Sequence, residues 1–483
     1  MVWSFKNKEQ NIFLTSIFFF FILSTILRYI ALVQTPYANG WDGYYYIMQA
    51  HSWLTYGHLQ SLDYSIIYPY FTLFSYWIGD FEIAYKIGAA LLSGALISSA
   101  YILAYKTSKN NYASILVASF LLFSPTITFM VSQFPKNVLG LIVFNLFLTS
   151  FYSKNKLFVL VFLIISLFTH RMIAGLCVIV FLLGSIKYIN LKWVLGGVAV
   201  IILVSLLPGV IHYSDFTRFS GQLNWLPQFA PWSYYILFKN PISYWWILEL
   251  ILLSIMIFHI IYSYIKLREY VLFNSFIIPV LILLVMFPFF KMDFGSMGYR
   301  FFMIAPVFVS VFFMRKIQIH KTILIGVSLF FVVSSTYSYK SYNPSSYDPP
   351  NSLYAVIINR LTDNYNNDDY PLVIVHKSLA EMIIYKTEFD ALNWVPPETI
   401  NPDSVLRIIH NMEQFHFSKY LSDIELQKFK KLSLHYYAAP ESSWNKFLKL
   451  VEDNKDQKLM NLIMKGNNPL NKRPYFLKKG KNI

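Results

Sequence analysis

The sequence predicts a mainly α protein: a polytopic helical membrane bundle of about eleven spans, followed by a small exported α/β domain. Three observations carry this prediction. Of the 483 residues 56% are hydrophobic and only 13% charged, with a mean hydropathy of +0.46. That is more apolar side chain than the core of a soluble domain of this size can hold. The apolar residues are gathered into runs that approach or reach membrane-crossing length. Between the runs, lysine-rich segments alternate with segments that hold few cations or none, as the positive-inside rule requires.

The first run, 12–33, is apolar over about 20 residues, enough to cross a bilayer core. It lacks a small-residue cleavage site, so it reads as a retained helix rather than a removable signal. The segment that follows, 34–81, contains no lysine or arginine. Within it Trp41-Asp42-Gly43-Tyr44-Tyr45-Tyr46 sets an acid among aromatic side chains of the kind that collect at membrane surfaces. Gly43–Gly57 has helical periodicity, with Tyr46, Ile47, Ala50, Trp53 and Leu54 on one face and Tyr45, Gln49, Ser52 and Tyr56 on the other. Such a helix is expected to lie flat in the outer headgroup region. The run 64–79 contains Pro69, and counting it as a span would reverse every later loop. It reads as interfacial or re-entrant, or else as paired with a second split in another run.

Ten further runs follow, at 83–105, 112–132, 137–152, 157–170, 172–189, 193–210, 244–265, 271–290, 299–314 and 322–336. With the N-terminus cytoplasmic, the inner segments carry Lys6 and Lys8, Lys106 and Lys109, Lys154 and Lys156, Lys187 and Lys192, Lys266 and Arg268, then Arg315, Lys316 and Lys321. The outer segments hold scattered cations such as Lys136, Arg218, Lys239 and Lys291. An odd number of spans puts the C-terminal part outside. The chain thus divides into a transmembrane domain at 1–337, a Pro/Ser/Tyr-rich linker at 338–350 and an exported domain at 351–483. In the last, Leu372–His376 reads as a buried strand, Ser378–Tyr385 and Val405–Phe415 as helices, and Lys472 to Lys481 as a basic tip.

The net charge of +15 does not imply nucleic acid, because most of the lysines sit in the inner loops or the polar tail. Cys177 is the only cysteine, which excludes an intrachain disulfide and a zinc site of cysteine type. No Asn-x-Ser/Thr acceptor occurs, since Asn343-Pro344-Ser345 is disqualified by its proline. This leans toward a prokaryotic plasma membrane.

Ionisable residues at membrane depth mark function, and here they are one-sided. Arg28, Lys86, Lys136, His170, Arg171, Asp293 and Arg300 fall at outer span ends, and Glu249 lies in the outer part of its run; only His259 falls on an inner half. A transporter would instead show charges near the midplane and broken helices. Asp42 can serve as a general base or cap the helix that follows it. Lys136, after Pro135 at a helix start, can bind phosphate or snorkel to headgroups. Thr169-His170-Arg171 can ligate an anion or simply turn a hairpin. Asp293 and Arg300 flank a glycine-rich loop and can pair or act in catalysis. Arg28 is expected to snorkel outward.

A long first helix, an outer loop with Asp in an Asp-Gly-Tyr-Tyr setting and an amphipathic helix ending at Tyr56-Gly57 together resemble the polytopic GT-C glycosyltransferases. That superfamily includes protein mannosyltransferases, oligosaccharyltransferases and aminoarabinose transferases. Thr169-His170-Arg171 and Gly298-Tyr299-Arg300-Phe301 resemble polar positions at outer helix ends in bacterial members. The resemblance implies an inverting glycosyltransferase that moves a sugar from a polyprenyl-phosphate donor to a lipid, glycan or protein acceptor outside the membrane. Asp42 would be the catalytic base; Lys136, His170, Arg171 and Arg300 would bind the donor phosphate; Glu249 or Asp293 is a possible second acid. Metal-dependent members carry further acids in the second outer loop, which here reads Ser132-Gln133-Phe134-Pro135-Lys136-Asn137 with none. No cofactor is therefore expected, the alternative being a divalent metal held by Asp42 with Glu249 or Asp293. The competing expectations are a lipid-linked glycan flippase or transporter, and a GT-C-like scaffold without catalysis.

Overall fold

In a computed structural model of the protein, the described residues are 7–57, 59, 65–188, 244–267, 297–314, 320–338, 351–364, 371–375, 377–387, 390–393, 415–416 and 437–440. They are mainly helical. The runs 193–210 and 271–290, the linker after Ser338, the basic tip and Asp293 lie outside them, as does the helix expected at Val405–Phe415 apart from Phe415, which lies in a strand. The chain divides into two compact units, one of Met1–Thr35, Tyr64–Ile67 and Lys86–Ser346, the other of Pro36–Asp63, Tyr68–Tyr85 and Tyr347–Ile483.

The first unit contains α1 (Asn7–Leu32) and most of α4 (Phe81–Ser108). It continues with α5 (Asn111–Phe123), α6 (Pro125–Gln133), α7 (Pro135–Tyr152), α8 (Lys156–Leu167) and α9 (Arg171–Tyr188). Its last described helices are α10 (Tyr244–Leu267), α11 (Met297–Met314) and α12 (Lys321–Ser338). Helices α1, α4 and α10 are long and apolar enough to cross a membrane, and a fourth crossing arises if the bent pair α5–α6 is counted as one. The others are shorter. On α10 the large exposed side chains Ile251, Ile255, Phe258 and Tyr262 fall on one stripe, the pattern of a helix that shows one face to lipid. Small polar side chains knit the interior. Ser24 Oγ and Ser93 Oγ lie 2.7 Å apart between α1 and α4, and Asn145 Nδ2 donates to Ser99 Oγ at 3.0 Å between α7 and α4. In apolar surroundings such pairs satisfy groups that lipid cannot.

The run 112–132 is two helices rather than one, bent by 61° between α5 and α6. The cause is Pro125. Its ring drives the preceding Ser124 out of helical geometry, to φ −55° and ψ 113°, and it has no N–H for the carbonyl of Leu121. Ser124 Oγ then caps the new helix by accepting from Ile127 N at 3.1 Å. Pro135 repeats the break at Phe134, which separates α6 from α7.

The bend is held by two charges that sequence reasoning had placed elsewhere. Arg28 is 1% exposed and does not snorkel. Its guanidinium donates to the carbonyls of Leu122 (2.9 Å), Leu121 (3.2 Å) and Ser124 (3.4 Å). These are the carbonyls at the C-terminal end of α5. Glu249, also 1% exposed, accepts from Thr126 N at 3.1 Å, from Thr126 Oγ1 at 2.7 Å and from Ser124 Oγ. A cation thus sits at the negative end of α5 and an anion at the positive end of α6.

The second unit contains α2 (Gly43–Tyr56), α3 (Ile67–Ile78) from its second residue, and the first turn of α4. From the C-terminal part come α13 (Asn351–Asn364), β1 (Pro371–Val375), α14 (Lys377–Lys386), β2 (Asp390–Asn393), β3 (Phe415–His416) and β4 (Tyr437–Pro440). The strands are ordered β2-β1-β4-β3, with β1–β2 parallel and the other pairs antiparallel. Helix α3, with 12 residues, is about 18 Å long and cannot cross a bilayer. Tyr46, Tyr68, Phe71 and Tyr85 form an aromatic cluster, with Tyr46 and Tyr85 stacked at 6.1 Å.

Helix α2 does not keep its expected polar face free. Gln49 and Ser52, on the face expected to be polar, are buried along with Tyr46, Ile47 and Ala50, and α14 packs against the helix. Trp53 and Leu54 remain exposed. Packing by a second element overrode the two-faced pattern.

Candidate functional site

The loop that carries Asp42 is fixed from several sides within the second unit. Gly43 permits the tightest approach: a Cβ there would stand 3.1 Å from Ala38 Cβ. The carbonyl of Ala38 accepts from Asn351 Nδ2 at 3.0 Å, and that of Asn39 from the Tyr85 hydroxyl at 3.0 Å. Tyr44 donates to Glu82 Oε1 at 2.5 Å, and Glu82 Oε2 pairs with Lys386 Nζ at 3.0 Å. Burial, then the adjacent Glu82 carboxylate, push the Tyr44 phenol well above its ordinary range. It remains a donor. Asp42 itself occupies the N-cap position of α2 at φ −103° and ψ 7°, but its side chain makes no capping hydrogen bond. Capping therefore does not account for this carboxylate.

The four cation-site candidates all belong to the first unit, and the structure brings them together. Pro135 starts α7 and puts Lys136 in its first turn, at the positive end of the helix dipole. The Phe134 side chain, having no capping group, leaves that end without a side-chain cap. Arg300, near the start of α11, lies over the Phe134 ring with its guanidinium carbon 5.1 Å from the centroid. Arg171 opens α9. His170 precedes it in the hairpin between α8 and α9, a turn pinned by Ser65 Oγ donating to the Thr169 carbonyl (2.8 Å) and by Ile66 N donating to that of Phe168 (2.8 Å). The segment is thus both a hairpin and part of a cationic cluster.

Electrostatics make the grouping explicit. Burial, then the charges of Arg300, Lys136 and Arg171, hold the His170 imidazole well below its ordinary range. It is neutral at pH 7 and faces three cations. Close packing seats it: a Cβ on Gly140 of α7 would stand 2.9 Å from Ile173 Cγ1 and 3.0 Å from His170 Cβ, so only glycine lets α7 and α9 approach this far.

Of the two candidate second acids, Asp293 lies outside the described residues, and Glu249 is engaged at the α5–α6 bend. The groups gathered around His170 do not suit a divalent cation, because they present positive charge and imidazole rather than carboxylate oxygen. They suit an oxyanion.

Sequence reasoning missed two features. Asn137, in the first turn of α7, is 2% exposed, and its Nδ2 has no hydrogen-bond partner among the described residues; the same holds for His170 Nδ1. The Arg28–Glu249 clamp was the other, and Pro125 was its available signal. No protein-family model matches this chain, and no curated protein is similar to it.

Proposed function

We propose that this protein is a polytopic plasma-membrane glycosyltransferase of GT-C type, with about eleven spans, a cytoplasmic N-terminus and an extracytoplasmic α/β domain at 351–483. It moves a sugar from a polyprenyl-phosphate donor to a lipid, glycan or protein acceptor. The observation that carries the reading is the convergence of Lys136, Arg171 and Arg300 on His170 at the positive end of α7.

In the reaction, the acceptor hydroxyl oxygen attacks the anomeric carbon as the bond from that carbon to the phosphate oxygen breaks. Asp42 takes the hydroxyl proton as general base. The leaving phosphate departs with the bonding electron pair and gains negative charge, which Lys136, Arg171 and Arg300 stabilise. His170 offers a neutral hydrogen-bonding group. Attack opposite the leaving group inverts the anomeric centre. No step requires a metal.

One observation favours a second reading, a lipid-linked glycan flippase: the broken pair α5–α6, with Arg28 and Glu249 buried at its bend, has the form of the discontinuous helices of transporters. Against it, both charges are engaged by the helix ends they face.

The test is mass spectrometry of surface glycans and glycolipids from a deletion strain complemented with wild type or with Asp42→Asn at matched expression. The deletion removes one sugar from a defined product. Asp42→Asn removes nearly all of it, a general-base contribution being on the order of 10²–10⁴-fold. Purified wild type keeps its activity in excess chelator. Near-normal product from Asp42→Asn would exclude catalysis by Asp42 and leave a flippase or an inactive scaffold.

A further inference from the structure

Asn137 stands out among the buried polar side chains near the cation cluster. Its Nδ2 lacks a hydrogen-bond partner among the described residues, although the side chain is 2% exposed. An orphaned buried donor is disfavoured, and native structures retain few without a reason. Its place on α7 supplies one. Asn137 lies three residues before Gly140, so the two share a face of the helix, and a Cβ on Gly140 would stand 3.0 Å from His170 Cβ. Side chains on a helix lean toward its N-terminus, which here is the end that carries Lys136. His170 Nδ1, across from this face, is likewise buried and without a partner among the described residues. Two orphaned polar atoms thus flank the positive end of an 18-residue helix, beside three cations.

We propose that Asn137 is a further ligand of this site, its side-chain amide donating a hydrogen bond to an oxygen of a bound phosphoryl group. The proposal rests on the anion-binding reading of Lys136, His170, Arg171 and Arg300. It adds a neutral donor to a set of charges, and neutral donors in fixed positions distinguish one oxyanion geometry from another. The chemistry is that of a phosphate mono- or diester on a prenyl chain, as distinct from the headgroup of a bilayer lipid.

The experiment measures equilibrium binding of farnesyl phosphate to the full-length protein in phosphatidylcholine nanodiscs, with farnesol as the phosphate-free control. Parallel discs contain phosphatidylglycerol. Asn137→Leu, which removes the orphaned amide at similar volume, weakens farnesyl phosphate binding about tenfold. It leaves the unliganded protein's thermal midpoint unchanged or higher, whereas a structural asparagine would lose stability on the same change. Asn137→Ala serves as the second variant and weakens binding alike. Added phosphatidylglycerol does not compete in wild type. Unchanged affinity in both Asn137 variants, while Lys136→Met weakens binding, would overturn the role of Asn137 and leave the anion site standing. Unchanged affinity in Lys136→Met as well would overturn the site itself. Equal competition by phosphatidylglycerol would make this a headgroup contact and defeat the proposal.

Discussion

At the scale of single residues, the cation cluster separates charge from hydrogen bonding. Lys136, Arg171 and Arg300 bring positive charge, whereas burial and those same charges keep His170 neutral. The sign follows directly. A base whose pKa is depressed takes up its proton only at pH values well below its ordinary titration, so at neutral pH its replacement removes no charge. His170→Gln therefore lowers donor use less than Arg171→Gln, which forfeits a charge-assisted hydrogen bond of about 1.5–3 kcal/mol. Lys136→Arg retains more function than Lys136→Met, since charge matters here more than length. Donor KM and kcat for the four variants check this, and a His170→Gln loss equal to that of Arg171→Gln would show that the imidazole is charged when it acts. These residues were legible in the sequence because polar side chains at the ends of apolar runs stand out. Asn137 was not legible. Nothing in a sequence distinguishes a satisfied buried amide from an orphaned one.

At the scale of elements, the bend between α5 and α6 shows how a proline inside an apolar run is accommodated. The break frees carbonyls on one side and an N–H on the other, and Arg28 and Glu249 supply the missing partners from α1 and α10. Removing one member leaves the other buried and uncompensated, a loss of about 3–5 kcal/mol. Arg28→Met and Glu249→Gln each lower the thermal midpoint of the purified protein. The double variant is less destabilised than the sum of the two, because the second change removes the charge that the first had stranded. Strict additivity in that cycle would mean that the two charges hold the bend independently. The run 112–132 looked continuous because its hydropathy is continuous; Pro125 was the sign that it is not. Helix α2 misled in the opposite direction. Its two faces are plain in the sequence, but α14, which packs against it, comes from more than 300 positions away along the chain, and no local pattern announces such a partner.

At the scale of the whole molecule, charge asymmetry is the strongest argument for orientation, because each cytoplasmic lysine or arginine opposes translocation of its own loop. In the proposed topology the segment 34–81, which has no such residue, lies outside, and the linker at 338–350 lies on the same side after an even number of further spans. Thiol labelling of intact cells tests this arrangement. Cys177 is the only cysteine, so a Cys177→Ala background carries no thiol of its own. Cysteines at Ser61 and Tyr347 react with an impermeant maleimide. Those at Glu9 and Lys156, both exposed, react only after the membrane is opened. These inner positions are preferable to Asn110 and Asn155, whose side chains cap α5 and α8 and whose loss would weaken the helix starts. Because the two outer probes bracket every later span, reaction of Ser61 alone would mean that the number of crossings between them is odd. Tyr347 would then be cytoplasmic, and the domain after it could not meet an acceptor outside the cell. Labelling at position 156 in sealed cells would reverse the hairpin between α7 and α8, and with it the side of the membrane on which Lys136 and His170 would meet the proposed donor.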